Sequence, residues 1–175
     1  MSAGQDQPPF PGERRGTLGV GDDGHWQIRF ERRLAHSPER VWAALTSPDR
    51  QARWIPGVTI DATEGGAVVF DFGDEGGAEG RVLAVEEPRH LEHTWVWPGE
   101  PPATVRWELT ADGDHTVLVL LHRPLRREPA IHYTAGWHVI LDALGGHLDG
   151  GAADGPDEAV LVEFYSALAE ANRPA

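Results

Sequence analysis

Two histidines interrupt strand-like stretches that are otherwise apolar on one face: His93, between Leu91 and Trp95, and His122, after Leu118 and Leu120. An imidazole there is a satisfied core group, a ligand anchor, or a general acid/base for a polyketide-like substrate. Tyr133, Asp71, Arg81 and Arg106 could join them, although strand alternation equally allows these to point outward. The chain has nine histidines, but metal-ligand spacing is poor. His90 and His93, three apart on a strand, point to opposite faces. His138 and Asp142 are one helical turn apart and could share an ion. No His-x-x-x-His or His-Glu-x-x-His occurs, so neither a metal site nor a cofactor is expected. Cysteine and lysine are absent, and the four serines (Ser2, Ser37, Ser47, Ser166) lie outside any Gly-x-Ser-x-Gly elbow. Thiolate, Schiff-base and serine-elbow chemistry are thereby excluded, and no catalytic residue is assigned.

The elements that must position the histidines follow from periodicity. Trp26, Ile28 and Phe30 alternate with Gln27, Arg29 and Glu31, which predicts a half-buried strand. Ser37-Pro-Glu-Arg40 and Ser47-Pro-Asp-Arg50 are two matching helix starts, each with a serine N-cap and proline at the first helical position. Strands are then predicted over 58–62, 67–73, 80–87, 90–97, 103–110 and 115–123, separated by Gly-, Pro- and Asp-rich turns. Links this short favour antiparallel neighbours and leave no room for crossover helices. A loop after Pro124 leads to a helix over 133–148, where Trp137, Ile140, Leu141, Leu144 and Leu148 form one apolar stripe. His138, Asp142 and Gly146 fall away from that stripe, and Gly145-Gly146 weakens the helix end.

A helix with one apolar face needs a sheet to cover. Seven tryptophans make that interface aromatic. The strand faces offer Phe70 and Phe72, then His93, Trp95, Trp97 and Trp107, then Leu120 and His122. The helices bring Trp42, Trp54, Tyr133, Ile140, Leu141 and Leu144, with Trp137 at the entrance end. These residues either line a ligand-sized space between sheet and helix or simply fill the core.

At 175 residues the chain suits one domain, and its net charge of −13 argues against nucleic acid and anionic membranes. No apolar run reaches the ~20 residues needed to span a bilayer, and the first residues lack a basic head and apolar stretch. A cytoplasmic protein is expected. Residues 1–15 read as a disordered tail, 16–149 as the domain, 150–155 as a linker and 156–175 as an acidic helix. That helix, with Val160, Phe164 and Leu168 on one face, is expected to pack on the domain or on a partner, so a homodimer is possible.

Phe30-Glu-Arg-Arg-Leu34 leads through Pro38-Glu-Arg-Val-Trp42 to Trp54-Ile-Pro56. Gly80-Arg-Val-Leu-Ala-Val85, Pro88, Leu91 and Thr94-Trp95 follow, then Ala135-Gly-Trp137 with Leu141 and Leu144. In order and spacing these resemble the heat-shock protein 90 ATPase activator-like branch of the SRPBCC, or START-like, superfamily. The resemblance implies an α+β helix-grip fold: a curved antiparallel sheet wrapped around a long C-terminal helix, with two short helices after the first long strand. It also favours a cavity that binds a small hydrophobic molecule, aromatic, lipid or polyketide-like. One alternative is a cyclase or hydrolase using His93 or His122. Another is an interaction module that stimulates a chaperone ATPase or binds a partner, which calls for a solid core and an outer apolar patch.

Overall fold

A computed structural model describes residues 8–174 of the chain. β1 (Thr17–Val20) pairs with β2 (Trp26–Leu34), whose Trp26, Ile28, Phe30 and Arg32 turn inward while the residues between them face water. Two short helices follow, α1 (Pro38–Thr46) and α2 (Pro48–Trp54), each opened by a Ser-Pro pair. The Ser37 hydroxyl accepts from the Arg40 N–H, and proline at the first helical position has no N–H to leave unpaired. The Trp54 indole N–H donates to the Ala44 carbonyl at 2.9 Å and ties α2 to α1.

The meander then comprises β3 (Val58–Ile60), β4 (Ala67–Asp71), β5 (Gly77–Glu86), β6 (His90–Trp95), β7 (Ala103–Asp112) and β8 (His115–Leu125). The described strands form one antiparallel sheet in the order β1-β2-β8-β7-β6-β5-β4-β3, so the first long strand is hydrogen-bonded to the last. α3 (Arg127–Leu148) and α4 (Glu158–Ala171) complete the α+β helix-grip fold.

Several boundaries differ from the sequence pattern: β3 and β4 end two residues early, at Ile60 and Asp71, and β7 runs on to Asp112. β5 begins at Gly77 because Gly77 and Ala78 pair with Asp71 and Phe70. β6 ends at Trp95; Val96 makes only a single bridge to Glu79, so Trp97 leaves the strand. β8 continues to Leu125, opposite Trp26, and α3 starts at Arg127, where a loop was expected. Gly145 and Gly146 do not end α3. A Cβ at Gly146 would sit 2.7 Å from the Ala152 backbone, so glycine here lets the returning chain cross the helix closely.

α3 is buried on two faces. Beyond the apolar stripe, His138 and Asp142 are also buried, against the expectation that they fall away from the core, because α4 and the N-terminal segment cover them. α4 packs on α3 and β1 through Leu161, Tyr165 and Ala169. The buried stripe is thus rotated by one residue from the expected one: Phe164 and Leu168 are half-buried and Val160 is exposed. Residues 1–7 of the expected tail lie outside the described residues. Of the rest, Phe10 is buried with its ring 4.3 Å from that of His138, and Gly12–Arg14 forms a 3-10 turn.

The polar groups under α4 are connected. Arg32 Nη1 donates to Asp142 Oδ1 at 2.9 Å. The Tyr165 hydroxyl accepts from the Gly16 N–H at 2.9 Å and lies 2.7 Å from His138 Nδ1. The Asp142 carboxylate, with Oδ2 3.4 Å from His138 Nε2, favours the tautomer protonated at Nε2, in which Nδ1 accepts from the hydroxyl.

Candidate functional site

β6 and β8 bring His93 and His122 inward on the same side of the sheet, and both are fully buried. Each imidazole is met by an indole. Trp107 Nε1–H donates to His93 Nε2 at 3.1 Å, and His93 Nδ1–H donates to the Thr94 carbonyl at 2.9 Å. Trp137 Nε1–H donates to His122 Nδ1 at 3.0 Å, which leaves the proton on Nε2. Burial lowers the His93 pKa to about 4. Burial, with a smaller contribution from His93, lowers that of His122 to about 3. Both rings are neutral at pH 7, but an indole already occupies the acceptor nitrogen of each. As placed, neither has a lone pair free to take a proton from a substrate.

The region between sheet and helix is filled rather than open. The Trp137 ring centroid lies 5.5 Å from Trp95, 5.5 Å from Trp107 and 5.7 Å from Phe70. Beside Trp54, Phe70, Trp107 and Ile140 there is a void of about 10 Å³, room for no more than a water. The expected ligand-sized interior space is therefore taken up by its own aromatic lining. Trp137 is a core residue rather than an entrance.

The apolar concavity lies at the edge of this core. A groove of about 530 Å³ runs beside α3, walled by Phe72, Trp97, Tyr133, Trp137 and Ile140, with Gly136, Val139 and His132 along the helix. Its volume is in the range of small-molecule sites. Phe72 and Trp97 stack with centroids 6.5 Å apart, and Trp97 meets Tyr133 edge-on at 5.9 Å. Glu75, Glu100, Glu128 and Glu158 add four carboxylates to the lining. The Tyr133 hydroxyl donates to Glu100 Oε1 at 2.7 Å, and burial pushes its pKa up. Two larger concavities, about 780 Å³ against β4 and β5 and about 700 Å³ beside Arg32, lack such aromatic walls.

A family model described as activator of Hsp90 ATPase homolog 1-like protein matches residues 35–149, from just before α1 to just after α3. The chain belongs to this family. Among solved structures it is similar to CalU16 from Micromonospora echinospora, with 26% identity over 90% of this chain and 94% of that one and a TM-score of 0.72. It is similar to the protein encoded by gene BPP1335 of Bordetella parapertussis, with 33% identity over 81% of this chain and 84% of that one and a TM-score of 0.64. It is also similar to DynU16, a protein of the dynemicin biosynthetic locus, with 27% identity over 75% of this chain and 50% of that one and a TM-score of 0.64. A comparison with curated proteins finds no match.

In this Hsp90-activator-like domain the expected site residues separate into two groups. Phe72, Trp97, Tyr133, Trp137 and Ile140 line the groove. Trp42, Phe70, His93, Trp95, Trp107, Leu120, His122, Leu141 and Leu144 are buried in the core, and Trp54 is half-buried at its margin. Asp71, Arg81 and Arg106 point outward. The carboxylates have no local signature in the sequence, because Glu100 lies in a Pro- and Gly-rich turn. The groove-facing stripe of α3 does have one, since His132, Gly136, Val139 and Ile140 recur at helical spacing. Among the described residues, no helix is long and apolar enough to cross a membrane.

Proposed function

We propose that this domain binds a small, predominantly apolar molecule, aromatic, lipid or polyketide-like, in the groove beside α3. The observation that carries the reading is the groove itself: a volume of about 530 Å³ with aromatic walls from α3 and from the segments that follow β4 and β6. An apolar concavity with few polar groups is the usual form of a small-molecule site. The similarity to DynU16, a protein in the dynemicin biosynthetic locus, agrees with it.

The test is native mass spectrometry of protein purified from its own host, with tryptophan fluorescence titrations across aromatic and polyketide-like compounds. A reproducible adduct, and saturable quenching weakened about tenfold or more by Trp97→Ala, is the expected result. A clean apo mass together with no saturable response overturns the reading. The filled interior favours a second reading, an interaction module whose outer apolar surface meets a protein or a second copy of the chain. It predicts instead that Trp97→Ala changes oligomeric state or partner capture and leaves small-molecule titrations flat.

A further inference from the structure

The groove beside α3 is aromatic on its walls and acidic along its lining. Glu75, Glu100, Glu128 and Glu158 reach it from four separate segments, and no arginine is among the lining residues. The chain has no lysine to bring there. Glu128 pairs with Arg127 at 3.0 Å, and Arg127 is shared with Glu170 at 3.1 Å. Glu75, Glu100 and Glu158 form no ion pair among the described residues. The one basic side chain of the lining, His132, is exposed. Three unpaired carboxylates around one concavity give it a negative potential.

Glu100 is the best placed of them. It is half-buried, and its Oε1 accepts from the Tyr133 hydroxyl at 2.7 Å, which holds the carboxylate against the aromatic wall. A hydroxyl brings no charge, so the carboxylate stays negative and its other oxygen keeps its lone pairs. Beside it, Trp97 meets Tyr133 edge-on at 5.9 Å and stacks on Phe72 at 6.5 Å. A Cβ at Gly76 would lie 2.9 Å from the Trp97 ring, so the turn before β5 seats the indole closely. The faces of such rings attract a cation and repel an anion. Rings and carboxylates thus favour the same sign of ligand charge.

Resting on the groove reading above, we infer that the ligand is a cation: an aromatic or other apolar amine that is protonated at neutral pH. Its ammonium donates to Glu100 beside the rings of Tyr133 and Trp97. Its apolar body lies along Phe72 and Ile140. Glu75 and Glu158 attract it at longer range. Because Glu100 is only half-buried, the ammonium keeps part of its water and avoids the cost of full burial.

Three near-isosteric probes test this on the full chain: 2-(aminomethyl)naphthalene, 2-ethylnaphthalene and 2-naphthoate, each titrated at neutral pH and followed by the Trp97 indole N–H resonance. The amine is expected to bind about tenfold more tightly than the hydrocarbon, and the carboxylate more weakly than either. Glu100→Gln keeps an acceptor for Tyr133 and should remove most of the amine's advantage while leaving 2-ethylnaphthalene unchanged. Glu64→Gln makes the same change of charge at an exposed position outside the groove and should leave the advantage intact. That control separates the local contact from the pull of a net charge of −13. The ranking of the three probes on the unaltered protein needs no variant to fold. Equal binding of amine and hydrocarbon overturns the inference and leaves the groove reading standing. So does an advantage that survives Glu100→Gln, or one that Glu64→Gln removes equally. If none of the three probes binds, the groove reading falls, and the inference with it.

Discussion

Trp137 of α3 donates its indole N–H to Nδ1 of His122 on β8 at 3.0 Å, so the long helix is joined to the sheet by a buried hydrogen bond as well as by packing. The geometry requires a neutral imidazole, since a protonated ring would turn a donor toward the indole N–H.

Stability should therefore fall in mild acid. The folded-state values of His93 and His122, about 4 and about 3, lie below the ordinary histidine value of 6.5. Between pH 6.5 and about pH 4 the unfolded chain binds protons that the folded chain does not, so acid favours unfolding. Each ring should cost about 2 kcal/mol of unfolding free energy between pH 7 and pH 5. Urea unfolding at the two pH values checks this, and a midpoint that does not move would refute it.

Tyr165→Phe removes one oxygen that serves two partners, the Gly16 N–H and His138 Nδ1. Both lie in the core beneath α4, so the loss should cost about 1–3 kcal/mol. Hydrogen exchange at the Gly16 amide should accelerate more than exchange in β7 and β8. Uniform acceleration across the sheet would show that the hydroxyl has no local role.

The Arg32–Asp142 pair predicts a non-additive cycle. The two side chains are 7% and 2% exposed, and Arg32 Nε and Nη2 and Asp142 Oδ2 lack partners among the described residues. Asp142→Leu alone should destabilise by about 3–5 kcal/mol, because it strands a buried guanidinium. Arg32→Met combined with Asp142→Leu should recover much of that loss. Additive losses in chemical denaturation would contradict this, as would a mild single variant.

Gly80→Ala should be severe for a different reason. A Cβ at Gly80 would lie 1.9 Å from the Thr94 carbonyl oxygen, and backbone cannot swing aside as a flexible side chain can. A thermal midpoint lowered by more than 5 °C is expected for a strain of about 2 kcal/mol. Gly12→Ala, where a Cβ would meet nothing within 4 Å, serves as the control and should be near neutral.

Much of the fold was legible in the sequence because it rests on local rules. Alternation from Trp26 placed β2, the two Ser-Pro starts placed α1 and α2, and short polar turns implied antiparallel neighbours. The same alternation carries Arg32 inward, but nothing local reveals that its counter-charge, Asp142, lies 110 residues away. Likewise, α3 shows one apolar stripe in sequence. Its second buried face exists only because α4 and Phe10 cover it.

By itself, the sequence determined the element order, the aromatic lining and the absence of a thiol, amine or serine-elbow nucleophile. These follow from residue types and from spacings of two and 3.6 residues. Only the tertiary structure decided that the tryptophans fill the interior, that indoles occupy both histidines, and that the apolar space opens beside Tyr133 and Trp97. Whether facing side chains interlock or leave a space depends on their volumes across the gap between sheet and helix. That quantity belongs to the pairing of distant segments, and no local spacing encodes it.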